Sequence, residues 1–171
     1  MKQSIIFTLC AFMLFSCNQA TKDTSNTTKN TEEERMEITS KQGLIIKKST
    51  QSFDKTYSKL VDIIENNPNL KIIAQLDHQV NAASVGLTLN PTKIIMFGNP
   101  KLGTPLMQSA QSTGLDLPQK ILVSQDDHGI VQISYNDPQY LRQRHGIEHK
   151  DEVLTKISGA LDKITSAAAG L

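Results

Sequence analysis

The stretch LPQKILVSQDDHGIVQISYNDP, residues 117–138, decides the fold. Leu117 to Gln125 and Ile130 to Tyr135 are two apolar, β-branched runs, and Asp126-Asp127-His128-Gly129 lies between them. Two such runs joined by four residues ending in Gly read as a β-hairpin, so the sheet contains an antiparallel pair. Asp137-Pro138 then opens a short helix. The Asp side chain accepts free backbone N–H groups, and Pro at the first helical position needs no partner. Gly146 ends that helix directly after His145.

Working outward, Gly43 to Ser49 reads as a first strand, Leu70 to Leu76 as a second and Thr92 to Phe97 as a third. The third is entered through Asn90-Pro91 and left at Gly98-Asn99-Pro100. Between the first two, Phe53, Tyr57, Leu60, Val61 and Ile64 fall on one helical face, with Ser52 as N-cap and Asn66-Asn67-Pro68 as the stop. Val153, Ile157, Leu161, Ile164 and Ala168 place one apolar stripe on a long C-terminal helix. Strands clustered between helices predict an α+β domain of two layers, an antiparallel sheet with its helices on one face. The other sheet face is left to solvent, to a pocket or to a second subunit.

The N-terminus has a different composition. Lys2 precedes an apolar run from Ile5 to Phe15, which fits a secretory signal over residues 1–16. It is too short for a membrane-spanning helix, which needs about 20 apolar residues. Leu14-Phe15-Ser16-Cys17 resembles the bacterial lipobox, which makes Cys17 the expected site of lipidation and anchors the protein to a membrane of the cell envelope. Residues 18–42 are built from Thr, Asn, Ser, Lys and Glu and bury too little to offset chain entropy. They are expected to form a disordered tether with a reach of roughly 25–30 Å. Residues 43–171 then make a single domain.

Charge and cysteine usage exclude several functions. Lys and Arg total 18 against 17 Asp and Glu, so there is no global attraction to nucleic acid. The two cysteines, Cys10 and Cys17, both lie in the leader region, so the domain has neither a disulfide framework nor a cysteine zinc site.

The residues of the domain carry a resemblance. Asp77-His78 with Asn81, Val85-Gly86-Leu87 and Pro91-Thr92 lead into Phe97-Gly98-Asn99-Pro100-Lys101. Gly103-Thr104-Pro105-Leu106-Met107 and Gly114-Leu115-Asp116-Leu117-Pro118 follow. Ser134-Tyr135-Asn136-Asp137-Pro138, Tyr140-Leu141 and Arg144-His145-Gly146 complete the pattern. Together they resemble the family of domains of unknown function numbered 302. The resemblance implies a TATA-binding-protein-like fold of strand, helix, four strands and helix, and a homodimer; it implies no activity. Ser124-Gln125 stands where the family pattern carries a Trp-Glu pair.

The candidate site is a polar cluster at strand ends: Asp77, His78, Asn81, Asn99, Tyr135, Asn136 and His145. Asp77 is placed to orient His78 as a base or metal ligand, or else to cap the turn that follows. His145 is placed to meet the carbonyl end of its helix, or else to join His78. No His-x-x-x-His or His-Glu-x-x-His spacing occurs, so a metal site requires His78 and His145 to meet in space, with Met96 and Met107 as soft partners. His128 and His149 are expected to face solvent. Asn99 with Pro100, or Thr104 with Pro105, could each open a helix. The cluster points to a non-enzymatic module for a small ligand or metal; no cofactor is named by any motif. A dimerising interaction protein of the envelope, or a hydrolase with His78 as base, are the alternatives.

Overall fold

The structure, a computed structural model, describes residues 43–171. The signal segment, Cys17 and the tether lie outside the described residues.

Five strands, β1 (Leu44–Lys48), β2 (Lys71–Asp77), β3 (Thr92–Gly98), β4 (Gln119–Gln125) and β5 (Val131–Asn136), form one antiparallel sheet in the order β1-β5-β4-β3-β2. Helices α1 (Phe53–Glu65) and α5 (Asp151–Ala169) pack together over one face. This is the two-layer α+β arrangement that the strand order predicts. The helices α2 (His78–Ser84), α3 (Pro100–Ser109) and α4 (Pro138–His145), and a 3₁₀ turn over Gln111–Leu115, fill the connections.

The helix ends follow local chemistry. Ser52 caps α1 by accepting the Lys55 amide, and Asp137 caps α4 by accepting the Gln139 amide at 2.9 Å. At the β4–β5 hairpin, Asp126 Oδ1 accepts the amides of His128 and Ile130, and Gly129 adopts φ +78°, which a side chain would strain.

The core is the interface between layers. Leu60 and Ile64 of α1 and Leu154, Leu161 and Ala168 of α5 bury against Ile95, Ile121, Val123 and Ile133. Edge strand β1 adds a buried cation to that face. Lys47 Nζ donates to the Asp162 carbonyl at 2.9 Å, to Asp162 Oδ1 at 2.6 Å and to Ser166 Oγ at 2.7 Å, which ties β1 to α5. On the opposite face Ile46, Ser134, Leu122, Ile94 and Leu76 stand in register across all five strands.

Candidate functional site

The residues expected to share one site divide between the two ends of the sheet. Asp77, His78 and Asn81 lie where β2 runs into α2; Asp77 pairs with Lys93, which pairs with Val123. His145 lies at the other end. Its partner Asp116 precedes β4, whose first residue, Gln119, pairs with Phe97; Phe97 pairs with Ile72 near the start of β2. Seven strand residues separate the ends, roughly 20 Å at about 3.3 Å per residue. His78 and His145 therefore do not form a shared metal or ligand site. Met96 and Met107 fall on opposite faces of the sheet: Met96 alternates with the core residues Ile95 and Phe97, whereas Met107 of α3 lines one cavity with Phe97.

At the first end Asp77 is the helix cap. Its Oδ1 accepts the Val80 amide at 3.0 Å, and its Oδ2 faces Lys93 Nζ at 3.5 Å. Among the described residues no hydrogen bond or ion pair joins this carboxylate to the His78 ring, so the Asp77–His78 dyad is not made. The Val80 hydrogen bond, with help from Lys93, holds the Asp77 carboxyl below the usual range. Lys93 also sits over the rings of Tyr57 and Phe53, 5.5 and 5.7 Å from their centroids. Tyr57 donates to Gln75 Oε1 at 2.8 Å. Burial, and then the charge of Asp77, raises its phenol pKa. Asn81 is exposed on α2, as are His128 and His149 elsewhere. This end reads as a structural network.

The other end holds a cavity of about 360 Å³ between α3, α5 and the ends of β3 and β4. Phe97, Leu102, Met107, Leu117, Ile157, Leu161 and Ile164 make its apolar wall, and Lys71, Asn99, Thr104 and Gln119 are its polar members. Three glycines line it as well: Gly98, Gly103 and Gly114. A Cβ at Gly103 would meet only Leu117 at 3.5 Å, one at Gly114 only Met107 at 3.5 Å, and one at Gly98 would meet Pro118 at 3.6 Å. These are ordinary contacts with other wall residues, and none of the three has positive φ. Neither crowding nor backbone conformation demands glycine there. Each missing side chain leaves volume in the cavity.

Gln119 gives this space its chemistry. It is 9% exposed, and its amide Nε2 has no hydrogen-bond partner among the described residues. An unmet buried donor costs about 1–3 kcal/mol, a cost that a ligand acceptor would remove. Asn99 stands at the rim as the N-cap of α3, its Oδ1 accepting the Lys101 amide at 2.9 Å. Of the two Asn/Thr-Pro pairs in this loop, Asn99-Pro100 starts the helix, and Pro105 lies inside it. Tyr135 and Asn136 belong to this end of β5, but Tyr135 is buried beneath the helices, beside Ile45 and Ile121. Burial pushes its phenol up to about 12; a hydrogen bond to Thr165 works against the shift, and the charges of Asp162 and Asp137 add to it.

His145 closes a second cluster at the 3₁₀ turn, with residues that do not line the cavity. Its ring is 4% exposed. Nε2 lies 2.5 Å from Asp116 Oδ2, and Nδ1 lies 3.0 Å from Ser112 Oγ. Arg144 Nη1 is 3.4 Å from Asp116 Oδ1. His145 does end α4, as expected from Gly146, but its partners are side chains of the 3₁₀ segment. Sequence reasoning passed over Gln119, Ser112 and Asp116. Gln119 carries no motif, and Asp116 and His145 are 29 residues apart with no spacing rule to join them.

The family model described as "Domain of unknown function DUF302" matches residues 45–164, which is most of the described domain. The chain belongs to this family. A crystal structure of an uncharacterized conserved DUF302 protein from Bacillus stearothermophilus is similar in fold, with a TM-score of 0.59 at 18% identity, covering 76% of this chain and 98% of that one. Among curated proteins, "Fluoride-specific ion channel FluC 1" of Brucella suis biovar 1 is 36% identical over 130 residues, 75% of this chain and 50% of that protein. The FluC 1 protein of Brucella abortus biovar 1 is also 36% identical, covering 75% of this chain and 47% of that protein. The chain spans about half the length of these relatives. The DUF302 match and the shared fold account for the two-layer architecture.

Proposed function

We propose that this DUF302 domain is a small-ligand-binding module, held at the bacterial cell envelope by lipid on Cys17, and that its ligand is an apolar molecule with one hydrogen-bond acceptor. The unpartnered Nε2 of Gln119 in the wall of the apolar cavity carries this reading. The ligand's body occupies space kept open by Gly98, Gly103 and Gly114, and its acceptor takes the Gln119 N–H once that amide turns from its enclosed position toward the space. The volume lies at the lower end of the range for ligand sites, which suits a compact molecule or a medium-length alkyl chain. Paired probes test this. 2-Decanone should bind about 5–10-fold more tightly than 2-methyldecane, the hydrocarbon of the same shape, the equivalent of about 1 kcal/mol for one hydrogen bond, and Gln119→Leu should abolish that preference. Equal affinities in the unmodified protein would defeat the assignment. Acyl labelling of the full chain tests the anchor: Cys17→Ala should lose all label and leave the membrane fraction.

A metal is not part of this proposal, since His78 and His145 lie at opposite ends of the sheet. Nor is fluoride conduction. No described helix is long and apolar enough to cross a membrane, so the resemblance to about half of the FluC proteins is read as a shared module beside their channel.

The open sheet face supports a second reading, a homodimer. Ile46, Leu122, Ile94 and Leu76, with Ser134 between the first two, form a mainly apolar row that no described element covers, and Leu76 is 40% exposed. Sedimentation should report a dimer that Ile94→Glu converts to a monomer.

A further inference from the structure

We propose that Ser112 is a nucleophile for small activated acyl esters, with His145 as its base and Asp116 as the residue that positions the base. This goes beyond ligand binding and uses different residues from those of the cavity.

The assignment follows from which atoms can donate. A carboxylate only accepts, so at 2.5 Å from Asp116 Oδ2 the proton of the neutral imidazole is on Nε2. Nδ1 is then a lone pair, and the Ser112 hydroxyl, 3.0 Å away, must be the donor. The serine proton is already directed at a base whose tautomer is set by a largely enclosed carboxylate. This is the arrangement that activates a serine, with the roles of the two ring nitrogens exchanged relative to the familiar protease triad. Burial runs in the matching order. The His145 ring is 4% exposed and Asp116 11%, whereas Ser112 is exposed. A hydrogen-bonded tie made only for stability has no need to end on a hydroxyl open to solvent. Because Ser112 lies outside the cavity wall, the acyl group is small, and the substrate depends on a good leaving group, an aryl ester or a thioester.

The steps balance without any co-reactant but water. Ser112 Oγ bonds to the acyl carbon as its proton passes to Nδ1. The C–O or C–S bond to the leaving group breaks, the leaving group takes the electron pair, and Nδ1 returns the proton to it. Water then attacks the acyl-serine ester, giving its proton to Nδ1. The carboxylic acid departs as Ser112 Oγ takes that proton back.

The experiment incubates the purified full-length protein with 4-nitrophenyl acetate, follows nitrophenolate release and maps acetylation by mass spectrometry. Acetyl should appear on the peptide carrying Ser112. Ser112→Ala, a change at an exposed side chain, should remove it and slow release at least about 100-fold. His145→Gln should slow release comparably with Ser112 still present. For Asp116, ring ¹⁵N spectra of the folded protein should show Nε2 protonated and Nδ1 bare. Asp116→Asn should lose that signature and slow acylation while circular dichroism stays unchanged. Acetylation confined to lysines, release unchanged in Ser112→Ala, or a protonated Nδ1 in the unmodified protein would each overturn the proposal.

Discussion

Filling the cavity from Gly103 separates binding from stability in a single residue. Gly103 lies in the first turns of α3 with ordinary negative φ, and a Cβ there would touch only Leu117 at 3.5 Å. Alanine is about 1 kcal/mol better than glycine inside a helix. Gly103→Ala should therefore raise the thermal midpoint by roughly 4 °C for a domain of this size. Leucine has nearly the same helix propensity, and its further three carbons enter a space of about 360 Å³, so Gly103→Leu should also fold with unchanged or raised stability. Binding should respond in the opposite sense. At 100 times its dissociation constant, 2-decanone should stabilise the unmodified protein by about 2.7 kcal/mol, a further rise of roughly 10 °C. In Gly103→Leu that rise should vanish, and in Gly103→Ala it should be reduced. Thermal melts followed by circular dichroism, with and without the ketone, measure both effects. If Gly103→Leu instead melts well below the unmodified protein, the space is already filled, and the argument from the three glycines fails. A stable leucine variant that keeps its ketone-induced shift would place the binding site elsewhere.

Three further outcomes follow from buried and terminal groups. Tyr135, with its phenol pushed up to about 12, is more acidic in the unfolded chain than in the folded one; its contribution is fully present below pH about 10 and is lost as pH rises toward 12. Ultraviolet titration should show Tyr135 ionising last of the three tyrosines, or only with alkaline unfolding, and Tyr135→Phe should remove that late step. Lys47 is fully buried, yet its partner Asp162 is 61% exposed and can return to water. Lys47→Met should thus cost only about 1 kcal/mol, whereas Lys47→Ala, which also empties the space of the stem, should cost about 3 kcal/mol by urea denaturation. Equal losses would show that the ion pair itself, and not the packed stem, holds β1 to α5. A chain beginning at Gly43 should keep its thermal midpoint within about 2–4 °C of the processed protein, a change of roughly 1 kcal/mol; a larger fall would mean that the preceding segment packs on the domain.

Most of the fold was legible because its signals are local. The two apolar runs within residues 117–135 and the turn between them, the stripe from Phe53 to Ile64 and the Asp137-Pro138 and Gly146 boundaries each depend on neighbours within a few residues. The structure agrees with them to within about two residues. Local signals were less complete where two devices compete. Asn99-Pro100 and Thr104-Pro105 both read as helix starts, and only the capping bond from Asn99 to the Lys101 amide, with β3 ending at Gly98, decides between them. The His78–Asp77 pair shows the same limit, since the carboxylate that looked free to orient a histidine is spent on Val80 and Lys93.

The sequence by itself determined the layer architecture, the order of the strands along the chain with α1, α4 and α5, the family and the polar character of the strand ends, but not α2. It could not determine which of those ends face each other. Sheet order β1-β5-β4-β3-β2 places Asp77 and His78 a full strand length from His145, and pairing partners are chosen by burial across many strands, which no local spacing encodes. The cavity was equally invisible. It is made of what three distant glycines leave out, and empty space has no residue to announce it. Gln119 in a strand and Ser112 and Asp116 at the 3₁₀ turn read as unremarkable until the chain closes, and His145 was singled out with the wrong partner. Only tertiary packing removes the water that would otherwise satisfy the Gln119 amide and brings a carboxylate 29 residues away to the imidazole.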